Sequence, residues 1–420
     1  MASSARFSLV YRHIGREYLL SFLVAFFFFF FIFFINQILL IAQRILLKQV
    51  DYFSVLQLVL LSIPQFLLYT FPFSSLTASS MVIGDLSGNN EILAIRSSGI
   101  SLKHVFIPII IISLAFSMLT FLTADKALPW STKKYRELYT DLMRDLPTLE
   151  LMANSTNTIA NTVMVNKGVE GNTVHDIILF ETSSARGGQI LSAPKAEVSL
   201  YDLQSFIYQL ELDNPLILKS ETQGGWALSK AESAQFFLNF SGQIASIASA
   251  LPSQLSIKEL QQNIQEHKIA LQAENKRYQE KVQTLELSLA ELVDKAKTDA
   301  EVSVSHIEEL EVQLKQLKDQ KPINFYYQYY RAELHKKYAL SAACFMLVFL
   351  TFSLSFFRVK HGRLIGFGLS MLVAVVYWYL LFFAQMQIFS LSISPALLIW
   401  SPNLLMFFGG LLFLLHARRL

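Results

Sequence analysis

Six stretches of the chain are apolar over membrane-spanning lengths: residues 18–43, 54–84, 103–124, 338–357, 364–386 and 393–415. A helix crosses a hydrocarbon core with about 20 apolar residues. The pattern therefore predicts six transmembrane helices in two groups of three, with one large polar block between the groups. The stretch from Tyr18 to Ala42 is too long for the apolar region of a signal peptide, and no small-x-small cleavage pattern closes it. It reads as a retained first helix, and its Phe26–Phe31 run as apolar bulk.

The polar block changes period twice. From about Ser155 to Gly242 apolar residues alternate with polar ones: Val163 and Val165, then Ala196, Val198 and Leu200, then Phe206, Tyr208, Leu210 and Leu212. Gly168, Gly171–Asn172, Gly187–Gly188, Asp213–Asn214–Pro215 and Gly224–Gly225 supply turns between them. Short alternating strands with such punctuation predict an all-β sandwich or jelly roll. Such a domain is either a passive spacer or a holder for an acyl chain, and the pattern leaves both open.

From Ser256 to Lys318 the chain turns to Glu, Lys, Gln, Leu and Ala. Ile257, Leu260, Ile264 and Leu271 fall at heptad-like spacing, as do Leu285, Leu289 and Leu292, and later Ile307, Leu310, Leu314 and Leu317. The stripe lapses around Asp294–Ser305. Two amphipathic helices folded back as an antiparallel hairpin explain both stripes and the gap; one continuous helix of roughly 90 Å is the alternative. The expected division is 1–124 (helices 1–3), 125–254 (β-domain), 255–322 (helical hairpin or coiled coil) and 323–420 (helices 4–6).

Composition agrees with a membrane protein: 53% hydrophobic and 16% charged, with a net charge of +3 that is too small to suggest a nucleic-acid binder. The single cysteine, Cys344, rules out a disulfide framework and a thiolate metal site. Charge also orients the helices. Short loops rich in Lys and Arg stay in the cytoplasm. Arg6, Arg12, His13 and Arg16 precede helix 1; Arg96, Lys103 and His104 lie between helices 2 and 3. Arg358, Lys360, His361 and Arg363 lie between helices 4 and 5, and His416, Arg418 and Arg419 end the chain. Both termini are then cytoplasmic and residues 125–337 periplasmic, in a bacterial inner membrane. Arg44 and Lys48, at the outer end of helix 1, run against this trend.

Several chemistries find no support. There is no G-x-x-x-x-G-K-[S/T] nucleotide loop, no G-x-S-x-G elbow and no H-x-x-x-H pair. The six apolar runs hold essentially no acids or bases, which argues against an ion-driven transporter or an intramembrane protease. Energy would come from another subunit.

One segment offers a place for that subunit. In Gly84–Ser101, Asn89 or Asn90 can cap a short helix, Glu91 suits its N-terminal end, and Gly99 can stop it in the left-handed conformation. The coupling helix then covers about 89–99, with Ile92, Leu93 and Ile95 as its apolar side and Glu91 and Arg96 as polar locks for the groove of a cytosolic ATPase. An interfacial helix lying on lipid is the other reading.

Here the chain resembles a known family, the paired permeases of the lipopolysaccharide-export ABC transporter, LptF/LptG (YjgP/YjgQ). The resemblance rests on Arg16–Tyr18, Glu91–Ser101, the Pro129 region after helix 3, Ala193–Ala196, Lys258–Leu260, Tyr330–Lys337, Arg358 with Gly362–Arg363, and Ile399–Leu404, in order. Two features depart from it. About fifty helical residues (268–322) intervene before helix 4, and the proline common early in that helix is absent from Lys337–Ser341.

The resemblance implies a non-enzymatic permease subunit that binds no cofactor, since ATP is bound by the partner ATPase. It implies a paralogous or identical second permease, a cytosolic ABC ATPase dimer, and a periplasmic bridge protein. Lipopolysaccharide or a related glycolipid would be squeezed from the inner membrane and passed on by the jelly roll. Arg44 and Lys48 then fit as cations for lipid phosphates, with Lys133, Lys134 and Arg136 extending the rim. No metal site is implied. The competing readings are a non-transporting, mechanotransmitting ABC membrane protein, disfavoured by six spans with the domain after the third, and a coiled-coil membrane scaffold.

Overall fold

The computed structural model describes residues 2–41, 51–145, 155–159, 162–181, 188–202, 207–221, 225–239, 250–298, 304–319, 322, 324–352, 362–389 and 393–417. Among them, five helices are long and apolar enough to cross a membrane: Ser8–Leu40, Tyr52–Gly88, Lys103–Leu142, Gly362–Met386 and Pro395–His416. The fourth expected run, 338–357, falls on helix α8 (Phe325–Met346) and the short α9 (Val348–Phe352), and ends outside the described residues.

The chain forms two compact units. One comprises Phe22–Ser74 and Leu122–Gln254; the other comprises Met1–Ser21, Ser75–Phe121 and Leu255–Leu420. Helices α1 (Ala2–Ile41) and α2 (Tyr52–Gly88) contribute to both.

In the first unit, the phenylalanines of α1 make a ladder of rings against α2. Phe22 and Phe26 meet Phe71, Phe29 meets Phe73, and Phe33 meets Tyr69, with centroids 5.6–6.4 Å apart. Helix α4 (Lys103–Leu122) does not stop at residue 124. It passes through a π-helical turn, Thr123–Ala127, into α5 (Leu128–Asp145). The wide turn takes up the helical register just before Pro129, which cannot donate a backbone hydrogen bond.

Nine strands follow, β1 (Ser155–Ile159), β2 (Thr162–Asn166), β3 (Gly168–Glu170), β4 (Thr173–Glu181), β5 (Gln189–Asp202), β6 (Ile207–Asp213), β7 (Leu216–Glu221), β8 (Gly225–Lys230) and β9 (Ser233–Asn239). They form one antiparallel sheet in the order β1-β2-β4-β5-β6-β9, with β3 beside β4 and the β7–β8 pair on β5. The register lines up the inward rows Val174–Ala196–Leu212–Ala234 and Val198–Leu210–Phe236, of which Ala234 and Phe236 are half-buried. These side chains pack with Tyr135, Leu138, Tyr139 and Leu142 of α5 and with Val55, Leu58 and Val59 of α2. Strands β5 and β6 thus bury Ala196, Val198, Tyr208, Leu210 and Leu212 of the apolar set read from the sequence, with Leu200 half-buried. Strand β2 is the exception: Thr162, Met164 and Asn166 are its buried face, and Val163 and Val165 are only half-buried. Period two fixes which residues share a face, not which face points inward. Phe206 lies outside the described residues.

In the second unit, α2 crosses α10 (Gly362–Met386) backbone to backbone. Ser80 and Gly84 on α2, and Gly362 and Gly366 on α10, are each four residues apart, the small-xxx-small spacing of closely packed membrane helices. A Cβ placed on Gly84 would lie 2.6 Å from the Gly362 carbonyl oxygen, and one on Gly366 closer still to that of Ser80. The Ser80 hydroxyl donates to the Gly366 carbonyl at 2.7 Å. Similar bonds tie other helices. Tyr18 donates to Ser75 Oγ (2.7 Å), which donates to the Cys344 carbonyl (2.8 Å), and Asn403 of α11 (Pro395–Ala417) donates to the Ala339 carbonyl (2.6 Å).

The helical insertion is a hairpin. Helix α6 (Ile257–Thr298) opens with a capping box: the Glu259 carboxylate accepts from the Ser256 N–H and hydroxyl, and the Ser256 hydroxyl accepts from the Glu259 N–H. Helix α7 (Val304–Asp319) folds back along it, with Tyr278 donating to the Leu317 carbonyl at 3.1 Å and Lys318 paired with Glu286 at 2.7 Å. The lower part of α6 packs on α8 instead, where His267 stacks on Tyr326 and Tyr330.

Replacing Gly366 by valine forces two backbones apart and is expected to cost about 1–3 kcal/mol, the range for overpacking. Gly368, two residues away, has open space where a methyl group would stand. Thermal denaturation in detergent should show a lowered midpoint for Gly366→Val and little change for Gly368→Val.

Candidate functional site

The site lies at one end of the second unit, where the N-terminal half of α1, the end of α2, helix α3 (Glu91–Ser97) and the starts of α4 and α10 meet. Helix α3 exists because the chain is turned sharply on either side. At its start, Asn90 takes the left-handed conformation (φ 59°, ψ 16°) and makes no side-chain cap. The neighbouring Asn89 side chain turns back to Asp85 at 3.3 Å. The expected asparagine cap is therefore replaced by a backbone turn that asparagine tolerates better than most residues. At its end, Gly99 has φ +81°, Gly99 N–H donates to the Arg96 carbonyl and Ile100 N–H to that of Ile95. This pair of bonds is a Schellman motif, with glycine at the left-handed position as expected from the sequence.

The apolar side of α3 is split. Ile92 is buried within the chain at 4% exposure and Ile95 is half-buried, whereas Leu93 is 54% exposed. Arg96 is exposed as well. Ile92 and Ile95 therefore seat the helix on its own protein, and Leu93 and Arg96 face away from it. Glu91 lies 3.4 Å from His13 Nε2 on α1. Two residues earlier on α1, the Tyr11 hydroxyl is 2.6 Å from His104 Nδ1 on α4.

One turn further along α1, Glu17 pairs with Arg363 at the start of α10, and Arg363 Nε is 3.1 Å from Asp85 Oδ2 at the end of α2. In the sequence Arg363 stands out as a loop charge and, with Glu17, as part of the family resemblance, but no role falls on it, on Glu17 or on Asp85. Nothing local could join them, because the three come from helices far apart in the chain. The signal that was present is the small-residue spacing in Ser80–Gly84 and Gly362–Gly366, which foretells a close crossing of these two helices.

The expected lipid-phosphate cations stand differently. Arg44 and Lys48 lie outside the described residues. Lys133, Lys134 and Arg136 are carried by α5: Lys133 is exposed, Lys134 pairs with Glu137 at 2.8 Å, and Arg136 Nε donates to the Thr132 carbonyl at 3.3 Å. Among the described residues, no cluster of His, Cys, Asp and Glu has the arrangement of a metal site.

Long apolar helices flanking an antiparallel sheet define a multi-pass membrane protein. The family model for the lipopolysaccharide export system permease LptF/LptG matches residues 12–416, and the chain belongs to this family of inner-membrane transporter permeases. It is also 22% identical over 157 residues to the uncharacterized protein RP871 of Rickettsia prowazekii (strain Madrid E); that match covers 37% of this chain and 43% of the relative.

Truncating Ile92 to alanine should lower the permease's own stability by about 2 kcal/mol, the lower end for a buried isoleucine. Leu93→Ala should stay within about 0.5 kcal/mol, as exposed positions do. Denaturation midpoints of the purified permease check both.

Proposed function

We propose that this protein is a permease subunit of an ABC transporter that extracts lipopolysaccharide, or a related glycolipid, from the inner membrane and passes it to a periplasmic bridge protein. Membership of the LptF/LptG family over residues 12–416 carries this reading. A second permease, paralogous or identical, completes the lipid path, and a cytosolic ATPase dimer binds the ATP. The chain crosses the membrane six times, with α8 and α9 opening the fourth span. Both termini and α3 are cytoplasmic, and the sheet, a jelly-roll domain, is periplasmic with the hairpin.

Helix α3 is the coupling helix. Leu93 and Arg96, which face away from their own chain, enter the ATPase groove, while Ile92 and Ile95 hold the helix in place. Glu91 serves both sides: its carboxylate is shared between His13 and the partner. Gly99 ends the helix so that α4 can start. This division of labour supports docking over a purely interfacial role, because a helix lying on lipid would turn its whole apolar stripe outward. Arg44, Lys48, Lys133, Lys134 and Arg136 form the cationic rim for lipid phosphates.

Glu91→Lys, and independently Leu93→Asp, should abolish co-purification of the ATPase; unchanged recovery with both would refute the coupling assignment. Changing Arg44 and Lys48 together to glutamate should reduce photocrosslinking of lipopolysaccharide to the assembled complex. Equal crosslinking would remove the rim from the lipid path.

A further inference from the structure

We infer that Arg363 is a positioning residue that makes α10 move with the coupling helix. The inference rests on the reading of α3 as the ATPase-docking element and goes beyond it, by naming the connection through which a displacement of α3 reaches a membrane helix.

Three observations carry it. Arg363, in the first turn of α10, pairs with Glu17 of α1 and with Asp85 of α2. Asp85 lies on the last turn of α2, directly before the Asn89–Asn90 turn that launches α3. Glu17 lies four residues after His13, the α1 side chain that touches Glu91, so one face of α1 holds α3 with one residue and α10 with the next turn. The guanidinium is therefore joined by an ion pair to α1, whose His13 touches Glu91, and by another to α2, which leads into α3.

The glycine seam beside it explains why such a contact is needed. Along Ser80–Gly84 and Gly362–Gly366 the two backbones touch, and the small Ser80 hydroxyl bridges them. A seam of small residues sets the distance between two helices, with no large side chains interlocked across it to fix their angle. Arg363 lies next to that seam and carries a planar fork that can satisfy two carboxylates at once. The side chain is 49% exposed, and Glu17 and Asp85 are 26% and 30% exposed. Ion pairs in such settings add little to stability. Their effect is angular: they select one orientation of α10 relative to α1 and α2. When docking pulls α3, α10 follows. With the pairs removed, α3 moves and α10 lags.

The test uses the complete complex, this permease with its second permease and ATPase, in proteoliposomes containing fluorescently labelled lipopolysaccharide. For Arg363→Ala, ATP hydrolysed per lipid extracted should rise about tenfold, within the range of a single coupling free energy, with the ATPase still co-purifying. The Glu17→Gln/Asp85→Asn pair removes the same contacts from the other side and should reproduce the effect. Arg363→Lys keeps the charge without the fork and should fall between. A ratio within about twofold of the parent in both Arg363→Ala and the carboxylate pair would overturn the proposal, since a coupling this small transmits nothing. Loss of ATPase co-purification in these variants would also overturn it, by assigning Arg363 to docking. The coupling-helix reading is judged separately: it fails if Glu91→Lys and Leu93→Asp still co-purify the ATPase, whatever the Arg363 variants do.

Discussion

The approach of α2 to α10 at Ser80, Gly84, Gly362 and Gly366 is the constraint on which the helical part of this protein depends. Between helices in a membrane there is no hydrophobic driving force, because lipid tails are as apolar as leucine. Association must come from close packing and from polar contacts. The four small residues let the backbones touch, and the Ser80 hydroxyl then reaches the Gly366 carbonyl. The same solution recurs at Gly410, where a Cβ would strike the backbone of Leu350, and in the relay from Tyr18 through Ser75 to the Cys344 carbonyl. Each interhelical hydrogen bond contributes only about 0.6 kcal/mol on average, so orientation is built from many small terms.

The sheet unit obeys different physics. Its strands and α5 bury an ordinary apolar core, in which Tyr208, Leu210 and Leu212 alternate with outward-facing residues and Tyr139 closes one side. The helical insertion is of a third kind. A single heptad-spaced seam on α6 serves two partners in turn. Near its start the seam meets α8 through His267; further along it meets α7, around Tyr278. The hairpin thus grows out of the helix that leads into the second membrane group.

The corner around α3 is held by a few specific contacts. Helix α3 is too short to be stable alone, since isolated helices need about 12–15 residues. It is held by Ile92, by the Schellman turn at Gly99 and by His13 of α1. Glu17, Asp85 and Arg363 brace the same corner from three helices. Leu93 and Arg96 thus point away from a helix that Ile92 and its turns fix to its own chain, the arrangement that the proposed docking requires.

Much of this was legible from the chain alone. Span length requires a count of apolar residues, strand faces a period of two, and the end of α3 a glycine at one position; all are local properties, so five of the six expected membrane-length helices, most described strand faces and the turn at Gly99 could be read directly. The length of the helix beyond residue 124 could not, because a π-helical turn before Pro129 leaves no mark in hydropathy. Nor could the inward face of β2, the splitting of Ile92 from Leu93, or the meeting of Glu17, Asp85 and Arg363. Each depends on which surfaces the folded chain brings together. A sequence pattern encodes what a segment can bury, while its partner is chosen only when distant helices pack.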